Sequence, residues 1–440
     1  MLNPCNWRVN AKHHPPSAKP EIVMRQAALG EQPRHANLTF ALVSLTSLFF
    51  MWGFITALND ILIPHLKAVF SLSYTQAMLV QFCFFGAYFL ISVPAGRLVD
   101  KIGFQRGIAT GLLTAACGCL LFVPSALYAT YWMFLMALFV LAAGITILQV
   151  AANPLVTLLG NPDTASSRLT MTQAFNSLGT TVAPVLGGIL IFSHTQTEQS
   201  ADSVIAPYIG LALILVAMAL CFFRLQLPQP QLEHTQSTTD DRHRSLFHYP
   251  HLILGAVGIF VYVGAEVSIG SFLVNFLGEA HVMAMTEAQA SKYIAYYWGG
   301  AMVGRFIGAA LMQRVAPGKL LAFNSLASMA LILTAIVADG SLAMWSILAV
   351  GLCNSIMFPT IFSLAVRALG PDTGRGSGLL CLAIVGGAVV PLLQGMLADS
   401  LGLQLSFLLP LVCYLYIAFY GLAGAKARQS DSSTVQQEVA

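Results

Sequence analysis

The segment LPQPQLEHTQSTTDDRHRS, residues 227–245, is a hydrophilic break between two long apolar stretches, and its position divides the chain. Six apolar runs precede it, at about 38–66, 74–98, 106–124, 128–158, 167–193 and 203–225. Six follow, at about 250–277, 289–313, 318–338, 342–367, 377–399 and 403–424. Runs near the roughly 20 residues that span a bilayer, grouped six and six, decide the architecture.

Composition agrees with that reading. Of 440 residues, 57% are hydrophobic and only 9% charged, with a mean hydropathy of +0.75. Soluble domains carry about 25% charged residues, so this chain lacks the charge to cover a water-facing surface and lipid must cover much of it. The alternation of an outer-membrane barrel is absent, which leaves helices as the spanning form. The expected fold is therefore an all-α integral membrane protein of twelve transmembrane helices, in two pseudo-symmetric six-helix halves around a central cavity. Residues 1–37, rich in His, Pro, Ala and charge, read as a disordered cytoplasmic tail rather than a signal peptide. The bundles take 38–226 and 249–424, a cytoplasmic linker 227–248, and a cytoplasmic C-terminal tail 425–440.

The cations orient the spans. Of 21 lysines and arginines, five lie in the N-terminal tail, and fourteen lie at or beside the even-numbered loops or the C-terminus, Arg305 and Arg314 among them. Only Lys67 and Lys292 fall on the other side. A miscount by one helix would scramble that asymmetry, so both termini are expected in the cytoplasm. The halves also echo each other: APVLGGIL with Pro184 recurs as VPLLQGML with Pro391, 207 residues later, and Pro154 and Pro359 stand 205 apart. Shared punctuation at a near-constant offset indicates a parallel repeat of six helices.

What is missing narrows the chemistry. APGKL holds Gly318 and Lys319 without the upstream glycine or following Ser/Thr of a phosphate cradle. Eight scattered cysteines match neither a zinc site nor a disulfide framework. The expectation is a protein that is not an enzyme, with no metal, no cofactor and no nucleic-acid partner. A carrier driven by an ion gradient needs only a polar site near the midplane and a group that binds the ion.

Two carboxylates sit within apolar context: Asp60 in ALNDILIPHL of helix 1 and Glu266 in FVYVGAEVSIGSFL of helix 7, 206 residues apart. In a parallel repeat both would face the cavity, where a weakly hydrated carboxyl can take up a proton near neutral pH. The plainer alternative leaves Asp60 solvated at the outer end of its helix. Amides form a second group. Gln149 and Asn153 are four apart, Gln173 and Asn176 three apart, so each pair shares a helix face. Asn59, Asn275 and Asn354 extend the set. Amides both donate and accept, which suits a neutral polyhydroxylated ligand, although such residues also glue neighbouring helices. Trp298, followed by two glycines, is an aromatic candidate for packing on a sugar ring, whereas Trp132 and Trp345 fit an interfacial belt. The loop GRLVDKIGFQRG offers Gly96, Asp100, Lys101, Gly103 and Arg106 as a tight, charged turn, either a latch that breaks as the halves rock or a simple positive-inside anchor.

That loop resembles the signature of the major facilitator superfamily, G-x-L-x-D-[RK]-x-G-x-[RK]-[RK]. More narrowly, WGFITALNDILIPHL, QVAANPLVTLLG, RLTMTQAFNSLGTTVAP, YVGAEVSIGSFLVNFL and FPTIFSLAVRALG look like the fucose–galactose–glucose:proton symporters, over about Leu38 to Gly424. The resemblance implies the major facilitator fold and sugar uptake with protons across the bacterial inner membrane. It places the family's helix 1 coupling carboxylate on Asp60. The fucose branch carries Glu at the position of Gln149, Gln at that of Glu266 and Tyr at that of Phe358. The pattern here matches the glucose/galactose branch, so a neutral hexose is expected, with fucose, N-acetylglucosamine or mannose as alternatives. A drug or metabolite efflux antiporter of the same fold is the rival from another mechanism class, and a sugar sensor is a third reading. The expected partners are a small sugar, a proton and the lipid bilayer, with a monomer as the default for the fold.

Overall fold

The computed structural model describes residues 34–69, 74–128, 130–192, 205–225 and 245–426, with side chains except at 34–37, 58–69, 74–81, 184–192 and 288. The two expected tails and the expected linker thus lie almost wholly outside the described residues, as do the side chains of Asn59 and Asp60.

The first half holds α1 (Arg34–Val69), α2 (Tyr74–Ile102), α3 (Phe104–Leu127), α4 (Tyr131–Leu158), α5 (Ala165–Phe192) and α6 (Ile205–Arg224). The second holds α7 (Pro250–Gly278), α8 (Glu287–Leu311), α9 (Pro317–Val337) and three interrupted spans, α10 (Gly340–Ala365), α11 (Gly370–Leu401) and α12 (Leu403–Gly424). Each boundary falls within four residues of the run read from sequence, once the short 3-10 turn Gly370–Asp372 that opens α11 is set aside. There is no strand among the described residues. By length and apolarity ten of the twelve can cross a bilayer among the described residues. The other two, α5 and α8, carry the polar run SSRLTMTQAFNS and the charges Glu287, Lys292 and Arg305.

Helix pairing repeats between the halves. In the first half α1 packs on α5, α2 on α4, and α3 on α4 and α6; in the second α7 packs on α11, α8 on α10, and α9 on α10 and α12. That correspondence is the structural counterpart of the proline echo. Lipid tails are as apolar as leucine, so close van der Waals approach between small residues must hold such helices together. The α3–α4 pair shows this: a Cβ at Gly118 would stand 2.6 Å from the Leu141 Cα, and one at Gly111 would stand 2.8 Å from the Leu148 nitrogen. Large apolar side chains such as Leu213, Phe323 and Leu392 stay exposed, as lipid-facing residues should.

The halves meet through α2 against α11 and α5 against α8, with α4 also against α11 and α5 against the second piece of α10. Hydrogen bonds between them gather at the end that carries the 4–5, 8–9 and 10–11 loops. The Ser166 and Ser363 hydroxyls lie 2.6 Å apart, Ser167 Oγ donates to the Ala309 carbonyl at 2.6 Å, and Ser377 Oγ donates to the Val150 carbonyl at 2.8 Å.

The repeated prolines explain part of this seal. Proline has no N–H, so the carbonyl four residues before it in a helix loses its partner. Pro154 releases Val150, whose oxygen takes the Ser377 hydroxyl of the other half. Pro359 releases Ser355, where α10 breaks into two pieces, and the Ser355 oxygen accepts from Arg305 Nε at 3.2 Å.

Candidate functional site: a polar cavity wall and a cross-half seal

The wall of the first half is built from α2, α4 and α5. Gln149 and Asn153 occupy successive turns of one face of α4, as their spacing requires. Gln149 Nε2 donates to the Tyr88 hydroxyl at 2.5 Å, and Gln173 Nε2 of α5 reaches Asn153 Oδ1 at 3.5 Å. All three amides are buried, yet Gln149 Oε1 and Asn153 Nδ2 have no hydrogen-bond partner among the described residues. Buried polar atoms are seldom left unpaired. One free acceptor and one free donor on adjacent turns are what a hydroxylated ligand would complete. Asn176 has a different place: its Nδ2 donates to the Phe49 carbonyl at 2.9 Å and ties α5 to α1.

In the second half Glu266 lies half-buried on α7, with the Tyr262 hydroxyl facing its carboxyl group and the Arg305 guanidinium near enough to act on it electrostatically. Asn354 is wholly buried and fully engaged. Its Oδ1 accepts from Tyr414 at 2.6 Å, its Nδ2 donates to Tyr297 Oη at 2.8 Å, and its carbonyl accepts from Tyr262 at 3.1 Å. Tyr297 in turn donates to the Glu266 carbonyl at 3.2 Å. Asn354 therefore joins α7, α8, α10 and α12 behind the cavity face.

Trp298 is 45% exposed and meets Tyr297 edge-on, with centroids 5.1 Å apart. Phe358 is half-buried and stacks on Phe362. Asn275 is exposed, three residues before the end of α7. Trp132 and Trp345 are also exposed, and Tyr293 and Tyr296 stand beside Trp345.

The charged loop is divided in its contacts. Gly96 backs onto α11, where a Cβ would come within 2.8 Å of the Gly374 carbonyl. Asp100 places its carboxylate against Gly374, in the first turn of α11, where helix N–H groups favour an anion. Gly103 turns the chain into α3 with φ of 84°. Lys101 and Arg106 remain exposed.

Arg305 is the residue that sequence reading misplaced. Counted there among the loop cations, it lies six residues inside α8, half-buried. Besides Ser355 it reaches α5 of the other half, donating to Ser177 Oγ and, at 3.5 Å, to the Gln173 carbonyl. A chain of contacts from the Ser355 carbonyl through Arg305 and Gln173 to Asn153 thus crosses the midline. Tyr88, Tyr262, Tyr414 and Ser377 were also passed over, because single hydroxyls in apolar helices carry no spacing signal; Arg305 had one, since a charge more than a turn inside a span is not a loop charge.

Residues 40–383 match the family described as Major Facilitator Superfamily. The "Glucose/galactose transporter" of Brucella abortus biovar 1 (strain 9-941) is 60% identical over 90% of this chain and 97% of its own length. The "L-fucose-proton symporter" of Escherichia coli (strain K12) is 35% identical over 88% of this chain and 93% of its own. Among solved structures, the transporter FucP in the outward conformation superposes with a TM-score of 0.81 at 32% identity, covering 88% of this chain and 98% of that one. Family match, near-full-length relatives and shared fold agree: the chain belongs to the Major Facilitator Superfamily.

Proposed function

We propose that this protein imports a neutral hexose of the glucose/galactose type together with a proton, by alternating access between its two halves. The observation that carries the reading is the 60% identity, over nearly the whole of both chains, to a protein named for glucose and galactose transport. The amide wall is consistent with it. Gln149, Asn153 and Gln173 leave an acceptor and a donor, unpaired among the described residues, for ring hydroxyls, with Trp298 as an aromatic surface and Asn59, Asn176, Asn275, Asn354 and Phe358 as further lining or supporting residues. Asp60 and Glu266 are the proposed proton-coupling groups, and the Gly96–Arg106 loop a gate element. The setting is the bacterial inner membrane, as a monomer with both termini in the cytoplasm, which places the seal described above on the cytoplasmic side.

Uptake of a panel of labelled sugars by cells expressing the protein, with and without an uncoupler, tests this reading. Accumulation of glucose or galactose that collapses with the proton gradient is expected. Hexose uptake indifferent to the uncoupler would remove the proton from the mechanism, and a preference for fucose would move the substrate to the second relative's class.

A further inference from the structure

Gln149 carries an amide with two unlike ends, and its partner is Tyr88 of α2. The Tyr88 hydroxyl accepts from Gln149 Nε2 at 2.5 Å. The tyrosine ring is buried and closely held. Phe84, one turn back on α2, meets it with centroids 5.5 Å apart and planes tilted by 58°. One turn further on, the Ser92 carbonyl lies against Gly378 of α11, where a Cβ would stand 2.6 Å away. On the α4 side, the Val150 carbonyl next to Gln149 takes the Ser377 hydroxyl at 2.8 Å. Tyr88 thus sits in a contact of three helices, and such packing leaves its ring little room to turn.

A glutamine offers an acceptor at one end of its amide and two donors at the other. Rotation about the last side-chain bond is loosely two-fold, so the amide alone does not decide which end points where; a fixed neighbour must. Tyr88 holds Nε2, and Oε1 is the end left without a partner among the described residues. Asn153, one turn along α4, is set in the opposite sense. Its Oδ1 accepts from Gln173 Nε2 at 3.5 Å, and its Nδ2 is the atom left over. The wall therefore carries an acceptor and then a donor on successive turns, an order written by Tyr88 and Gln173.

We propose that Tyr88 is the positioning residue that sets specificity at Gln149: by holding Nε2 it turns Oε1 to the sugar, so that this point of the wall takes only a hydroxyl that donates. Tyr88 itself touches no sugar and acts through the amide. A ligand group that accepts without donating, such as fluorine, meets oxygen there and gains nothing. Without the Tyr88 hydroxyl the amide can offer either end, and the demand for a donating group is lost. This inference rests on the reading of Gln149 as part of the hexose site given above.

The test is a scan of monodeoxy and monodeoxyfluoro analogues of glucose and galactose, read as the protection each gives the purified protein against thermal unfolding. Fluorine accepts a hydrogen bond and cannot donate one, so it tells the two ends of the amide apart. At one ring position the parent protein should bind the deoxy and the fluoro analogue equally badly, each about tenfold weaker than the sugar, the scale of one neutral hydrogen bond. In Tyr88→Phe the fluoro analogue at that position should recover to within roughly threefold of the sugar while the deoxy analogue does not. A variant with unchanged general stability but a parent-like fluorine pattern would overturn the inference. Gln149→Glu, whose two ends both accept, should stay intolerant of fluorine with either residue at position 88; recovery there would show that the gain in Tyr88→Phe does not run through the amide. Should Tyr88→Phe fail to fold, Gln149→Met marks the ring position that the amide serves, and fluorine accepted at that position by the parent protein overturns the inference. A parent protein that no unmodified hexose protects would overturn the transport reading itself, whereas protection with an unaltered fluorine pattern in Tyr88→Phe removes the Tyr88 role alone.

Discussion

Ser377→Ala removes one hydroxyl from the place where α11 meets α4. In the sealed state that hydroxyl is fully buried and donates to the Val150 carbonyl at 2.8 Å. Because Pro154 has no N–H, the carbonyl has no helical partner to fall back on. Losing the bond therefore leaves an unsatisfied buried acceptor, which costs about 1–3 kcal/mol rather than the ~1 kcal/mol of an ordinary exchange with water. Once the halves part, water can reach the carbonyl and the penalty vanishes. The whole cost thus falls on the sealed state, and the ratio of sealed to open molecules should drop by about 5- to 150-fold. Hydrogen–deuterium exchange of the purified protein reads this directly, as faster exchange in peptides covering the start of α11 and the middle of α4. The reasoning has an internal control. Pro154→Ala returns an N–H to Val150, so Ser377→Ala made in that background should cost no more than about 0.5–1 kcal/mol. An equal effect of Ser377→Ala in both backgrounds would show that the proline-released carbonyl is not what the serine serves.

Other residues give separate expectations. Asp60→Asn should abolish gradient-driven sugar accumulation while leaving exchange of sugar across the membrane, measured with labelled sugar in loaded vesicles; full accumulation by this variant would refute its coupling role. Asn354→Ala strips partners from Tyr297 and Tyr414 and should destabilise the second half by about 2–4 kcal/mol, seen as a lower unfolding midpoint; an unchanged midpoint would show the network is not structural. Gly118→Val drives a branched side chain into the Leu141 backbone and should lower the yield of folded protein in size-exclusion profiles, since overpacking of this kind costs typically 1–3 kcal/mol or more. A fully folded Gly118→Val protein with unchanged stability would mean the α3–α4 contact is looser than described.

Much was legible because the bilayer imposes simple rules. Spans of fixed length, charges biased to one side and prolines at a constant offset gave the twelve helices, the two halves and the repeat that relates them. The breaks in α10 and α11 were not legible, because Pro359 and the glycines of α11 also occur in unbroken membrane helices. At the site, the shared faces of Gln149 with Asn153 followed from helical period alone. Their different company did not: Gln149 has Tyr88 from α2, while Asn176, three residues from Gln173, turns to α1.

The sequence by itself therefore determined a twelve-helix membrane protein with a repeat and with polar residues set inside its spans, and its motifs pointed to transport. Its local rules, hydropathy and period, act over one helix at a time. Only the tertiary structure decided which polar side chains keep an atom without a partner among the described residues and which hold helices together. It alone carried Arg305 from the loops into the contact between halves, 128 residues along the chain from Ser177. It alone gave the repeated prolines a task, since a released carbonyl has meaning only when a donor from a distant helix arrives to meet it.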